Sequence, residues 1–134
     1  MEYKIDKIKN VLDRFKELEK LEDGWCDGDG KAPNIKRLKA ISLLFITYYD
    51  FNSIPNPIIT PTFEGNIFFE WFDEKELSLP SLEVDLDSFK SEFSALDSND
   101  NNKDNIYVLY LDKEEDWVKL NDLLIKYTKQ GVNQ

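Results

Sequence analysis

The densest group of chemically able residues lies in "DGWCDGDGKAPN", Asp23 to Asn34, with three Asp, three Gly, one Trp and the single Cys of the chain. A calcium loop of the EF-hand type needs oxygen ligands at positions 1, 3, 5 and 12 and Gly at 6. With Gly30 at position 6, Asp27 and Asp29 fall at 3 and 5, but position 1 is Trp25 and position 12 is Lys36. A second acidic stretch offers Asp97, Asn99 and Asn101 at 1, 3 and 5, then fails with Asn102 at 6 and Val108 at 12. Zinc needs a set of Cys and His ligands, and the chain has no His and one Cys. No metal and no cofactor is therefore expected.

Catalysis fares no better. Without His, the commonest general base and every His-dependent triad are missing, and Cys26 has no imidazole to draw off its proton. No phosphate-binding or dinucleotide glycine pattern occurs. Glu70 is the one carboxylate set among large apolar residues, Phe68, Phe69 and Trp71. Burial there would raise its pKa and suit it to acid–base work. The plainer reading is a Glu that fixes its strand through an ion pair or hydrogen bond. No catalytic residue is assigned, and the protein is expected not to be an enzyme.

Charge is the remaining chemistry. The net charge is −10, and residues 1–40 are nearly balanced, with 10 Lys/Arg against 9 Asp/Glu. Residues 41–134 hold 7 against 18. Such a field repels phosphates and attracts basic surfaces, so direct nucleic acid binding is not expected. In "SLEVDLD", Ser81 to Asp87, Glu83, Asp85 and Asp87 recur at every second position. On a strand that spacing is about 6.6 Å, similar to phosphates along a nucleic acid strand. The expected partner-binding residues are Glu83, Asp85 and Asp87, supported by Asp73, Glu74 and Glu76. The plain alternative is a solvated, charge-protected sheet face.

The elements that position these residues follow from periodicity. Apolar residues at Ile5, Ile8, Val11, Leu12, Phe15, Leu18 and Leu21 predict a helix over Tyr3 to Leu21, with Gly24 closing it. Trp25 then folds back as an apolar anchor, and Gly28 and Gly30 turn the chain. A second helix starts at an Asn34 cap and runs to about Phe51. Leu38, Ile41, Leu44, Phe45 and Tyr48 form its stripe, and Ile35, Leu43, Ile46 and Tyr49 broaden it.

The period then changes. Ile58 to Phe63 and Asn66 to Phe72 predict a hairpin about Glu64-Gly65, and Pro61 places the first strand at an edge or bulge. Ser81 to Asp87 is a third strand with one solvated face. A short helix through Phe89 and Phe93 can follow, then an exposed loop from Asp97 to Asn105. Ile106 to Asp112 is a fourth strand. A last helix opens with Asp112 and Glu115 as a capping box and buries Trp117, Leu120, Leu123, Leu124 and Tyr127. This predicts a single α+β domain over residues 1–130 and a frayed tail over 131–134. Its architecture is two N-terminal helices, a four-stranded mainly antiparallel sheet and a C-terminal helix packed on it.

The chain lacks an apolar run of membrane-spanning length, and "MEYKIDKIKNV" lacks the apolar centre of a secretion signal. With a lone Cys, residence in the cytoplasm is the expectation.

Two separated motifs, "GWCDGDGKAP" (Gly24 to Pro33) and "PTFEGNIFFEW" (Pro61 to Trp71), resemble those of a family of small bacterial and prophage-encoded proteins of unknown function. Members carry a Gly-Trp-Asp-Gly-Tyr-Gly-Ala-like loop, a helix and a Pro-Thr-x-x-Gly-x-Ile-x-x-Glu-Trp hairpin. Gly24, Trp25, Gly28 and Gly30 match the loop; Pro61, Thr62, Gly65, Ile67, Glu70 and Trp71 match the hairpin. Cys26 and Asp29 depart from it, at the family's Asp and Tyr positions. The resemblance implies an α+β layout and a phage or mobile-element setting, and no activity.

The leading expectation is a non-enzymatic acidic interaction module that covers a basic surface, in one version that of a host nucleic-acid-binding defence protein. Two alternatives stay open. One is an antitoxin- or immunity-like partner that binds by shape, with a homodimer as one form. The other is a carboxylate-dependent enzyme centred on Glu70.

Overall fold

The computed structural model describes residues 3–72, 79–97 and 103–128. Asp73, Glu74 and Glu76, most of the predicted 97–105 loop and the 131–134 tail lie outside them. Three helices and five strands follow in the order α1 (Lys4–Glu19), α2 (Ile35–Tyr48), β1 (Ile58–Pro61), β2 (Ile67–Glu70), β3 (Ser81–Val84), β4 (Lys90–Asp97), β5 (Lys103–Tyr110) and α3 (Glu114–Thr128). The strands form one antiparallel meander in chain order, β1 to β5.

The α+β class holds, and the strand count rises from four to five. The region expected as a short helix is strand β4. Phe89 and Phe93 are four apart, which suits a helix, but Phe93 and Ala95 are buried with Ser91 while Lys90 and Glu92 are exposed. That is a period of two. The predicted third strand is also shorter than expected: β3 ends at Val84 and the chain turns through Leu86 to Ser88. Lys103 to Asn105, expected in a loop, belong to β5.

Register makes two faces. Ile59, Phe69, Leu82, Phe93 and Tyr107 align across all five strands on the inner face, with Ile67, Val84, Ser91 and Leu109 in a neighbouring row. The helices cover this face. Phe45 of α2 stacks on Phe69 at 5.6 Å and meets Trp117 of α3 edge-on at 5.8 Å, and Phe15 of α1 lies 6.4 Å from Phe69. Such aromatic pairs add to what burial of their area already contributes.

The helices are narrower in their buried stripes than expected. Ile5 of α1 and Ile35 and Leu43 of α2 are exposed. Gly24 does not cap α1; the helix stops at Glu19, and the N–H groups of Lys20 and Leu21 return to the carbonyls of Glu17 and Leu18. Asn34 does cap α2, its side chain accepting the Arg37 N–H at 3.0 Å, and the helix ends at Tyr48. At α3 the opening lies later than predicted. Asp116, not Glu115, reaches back, and its carboxylate accepts the Tyr110 N–H at 2.6 Å. No helix among the described residues is long and apolar enough to cross a membrane.

Candidate functional site: the outer face of the sheet

The face turned away from the helices carries its own register. One row across the strands reads Thr60, Phe68, Glu83, Glu92 and Val108, and the next reads Ile58, Glu70, Ser81, Ser94 and Ile106. Glu70, Glu83, Glu92, Ile106 and Val108 are exposed, so among the described residues no helix covers this face. Its centre is acidic and its β5 flank is apolar.

Glu83 lies directly opposite Glu92 on the neighbouring strand. Strands are about 4.8 Å apart, and like charges placed opposite each other disfavour pairing. No ion pair between described residues reaches either carboxylate. Glu70 lies one strand further on, paired in register with Ser81. It is exposed rather than buried among the rings beside it in sequence, because the strand sends Phe69 and Trp71 inward and Glu70 outward. The burial on which an acid–base role for Glu70 rested is therefore absent.

The predicted row of three acids is broken by the turn. Only Glu83 sits on the strand. Asp85 begins the β3–β4 turn, where its carboxylate accepts the Asp87 N–H at 2.9 Å. Its backbone also holds the turn, through Phe89 N–H to Asp85 O at 2.7 Å. Asp87 is exposed at the tip, beside a cation: Arg37 donates to the carbonyls of Leu86 at 2.6 Å and Asp87 at 3.0 Å. The same guanidinium lies 4.0 Å over the Phe89 ring. Phe89 has φ +60, a conformation rare for a bulky residue, and its burial under Arg37 holds it there. The even spacing of about 6.6 Å along one strand thus gives way to a pair across two strands. Glu92 was missed because its segment was expected to be helical; the alternation Lys90, Glu92, Ser94 against Ser91, Phe93, Ala95 was the signal.

The Asp23–Asn34 loop is a tight corner. Cys26 and Asp29 exchange two backbone hydrogen bonds, at 2.8 and 2.9 Å, around Asp27 and Gly28. Both central residues have positive φ, 50 and 96, as a primed hairpin turn requires. Trp25 is half-buried, so its anchoring role is smaller than full burial would give. It stacks on exposed Phe63 at 5.8 Å and donates its N–H to the Lys31 carbonyl at 3.0 Å. A Cβ on Gly30 would lie 2.8 Å from that indole. The loop is tied to the β1–β2 turn by Lys31 N–H to Phe63 O at 2.8 Å. The two motifs that carry the family resemblance thus meet in space as one structural corner. Among the described residues no group of three or more Asp, Glu or Cys is placed to hold a metal.

No family model, curated protein or solved structure matches this chain.

Proposed function

We propose that the protein is a non-enzymatic, cytoplasmic interaction module whose outer sheet face covers a basic surface on a partner protein. The observation that carries this reading is the Glu83–Glu92 opposition, on a face that no helix covers among the described residues, in a chain with net charge −10. Placing two carboxylates side by side works against the sheet. The same placement concentrates negative potential where a cationic groove would meet it. Glu83 and Glu92 are the core of the contact and Glu70 flanks them. Asp85 and Asp87 shape the turn at its end, and Asp73, Glu74 and Glu76 remain as outlying support. In the phage or mobile-element setting that the resemblance implies, the partner is a nucleic-acid-binding defence protein of the host.

Host lysate passed over the immobilised protein tests this. Wild type should retain a basic protein that elutes as salt rises, since screening weakens such contacts. Glu83→Lys/Glu92→Lys should lose it while keeping its circular dichroism spectrum. A basic partner held equally by both proteins, indifferent to salt, would sink the reading. The apolar flank formed by Ile106, Val108 and Tyr110 favours a second reading, an antitoxin- or immunity-like protein that binds by shape. Its complex would resist salt and fail on substitution of Val108 instead.

A further inference from the structure

The outer edge of β5 has no partner strand among the described residues. An edge strand turns every second residue's N–H and C=O outward, ready to pair. This one is eight residues long, carries no Pro and presents Ile106, Val108 and Tyr110 at 60%, 49% and 42% exposure. Near its start Asp104 accepts a hydrogen bond from Ser94 at 2.7 Å, and residues 105–110 carry no charge. Beside the edge runs an open groove of about 630 Å³, floored by residues 106–109 and walled by Lys119, Asp122, Leu123 and Lys126 of α3.

We propose that this edge pairs with the same edge of a second copy of the chain, antiparallel about a two-fold axis near Val108, to make a continuous ten-stranded sheet. The geometry of the helix layer selects a second copy over a lone peptide. α3 packs over β4 and β5, the two strands at this edge, so pairing two such edges brings two α3 helices to the same side of the joined sheet. The groove is the space that the partner's helix needs. A bare strand would satisfy the backbone and leave the α3 wall uncovered.

The side chains are self-complementary under the same axis. In antiparallel register about Val108, Ile106 faces Tyr110 of the other copy and Val108 faces Val108, all on one face. On α3, Lys119 and Asp122 are one turn apart and both line the groove. Antiparallel helices bring each Lys119 to the other copy's Asp122, twice by symmetry, and Val118, which is exposed, to Leu123. With Lys126, the groove wall of each chain carries two cations to one anion, which lets two chains of net charge −10 meet at this surface. Glu92 lies beside Val108 in the register, so the acidic patches flank the contact and come to lie on one shared face. The proposal stands whether or not that face binds a basic partner.

Sedimentation equilibrium over a concentration series tests it with the intact chain. Wild type should reach twice the 15.8 kDa of one chain. Val108→Lys, at an exposed position, should give a monomer whose urea midpoint matches that of wild type diluted to monomer. Asp122→Lys should weaken the dimer by about tenfold, since each attractive pair becomes repulsive. Lys119→Asp/Asp122→Lys, which exchanges the two charges, should restore it to within about threefold of wild type. A wild type that stays monomeric, or a dimer that survives Val108→Lys, overturns the edge pairing. A dimer that Asp122→Lys weakens and the exchange fails to restore overturns the two-fold proposed here.

Discussion

At one edge of the sheet, β1 runs for four residues and ends on Pro61, which has no N–H to offer. Its Ile59 carbonyl accepts the Arg14 Nε–H from α1 at 2.8 Å. The chain leading into it is tied down as well, by Asn56 to the Lys7 carbonyl at 2.9 Å and by Lys7 to the Phe51 and Ile54 carbonyls. At the other edge, β5 is twice as long and carries exposed apolar residues on both of its faces, including half-open Tyr107. One edge is closed by the chain's own side chains. The other keeps the features that let strands pair with strands. In a sheet of simple meander order, that asymmetry says which side is finished and which side expects company.

The strongest way to probe the contrast is within β5 itself. Leu109 is 3% exposed and faces α3, whereas Val108 faces outward. Leu109→Ala should cost about 2–4 kcal/mol in urea unfolding, through lost burial and the cavity left behind. Val108→Ala, measured at concentrations that keep the chain monomeric, should stay within about 0.5 kcal/mol. Equal losses would mean that the outer face is packed after all.

The approach to β1 has a pH-dependent brace. Tyr49 is buried, donates to the Pro55 carbonyl and accepts the Trp71 Nε1–H at 2.7 Å. Burial pushes its hydroxyl well above the ordinary tyrosine range; the Trp71 bond pulls the other way, and the charge of Asp50 adds to the rise. The folded protein therefore keeps the proton that the unfolded chain loses near pH 10. This contribution is fully present below about pH 10 and is lost above it, by about 1.4 kcal/mol per pH unit. The urea midpoint should fall accordingly in alkali, and Tyr49→Phe should flatten that fall. An identical slope in the variant would assign it elsewhere.

A smaller effect is expected at the closed edge. Arg14→Ala should cost about 0.5–1.5 kcal/mol by freeing the Ile59 carbonyl. It should also speed amide exchange in β1 while leaving β5 unchanged. Exchange that rises equally at both edges would erase the distinction between them. The smallest effect lies at the acidic centre. Glu92→Gln should raise stability by about 0.2–1 kcal/mol at low salt, because it relieves the opposition to Glu83. The gain should shrink as salt is added. A loss instead would show that the two carboxylates are not in conflict.

Much of the closed edge was legible in the sequence. Pro61 marked β1 as an edge, Glu64-Gly65 marked the hairpin, and Asn34 marked the start of α2, because each acts through its own backbone chemistry. The open edge was not legible. "IYVLY" reads as a strand, but whether a strand is central or peripheral depends on which segments pair, and β4 was hidden by a Phe89–Phe93 spacing that fits two periods. The turn before β4 rests on a phenylalanine at positive φ, which no propensity assigns to that residue. The acidic row failed for the same reason: Asp85 and Asp87 alternate correctly but lie past the end of β3.

The three tryptophans divide the molecule for a spectroscopist. Trp71 and Trp117 are 2% and 1% exposed, with their N–H groups on Tyr49 and on the Leu111 carbonyl. Trp25 sits half-open on the corner, stacked on Phe63. Their emission should separate accordingly, the core pair at shorter wavelength and the corner at longer, with acrylamide quenching Trp25 alone. Loosening of the corner then reads as a rise in quenching before any shift in the core's spectrum. The native chain carries its own pair of local probes, with no label to attach.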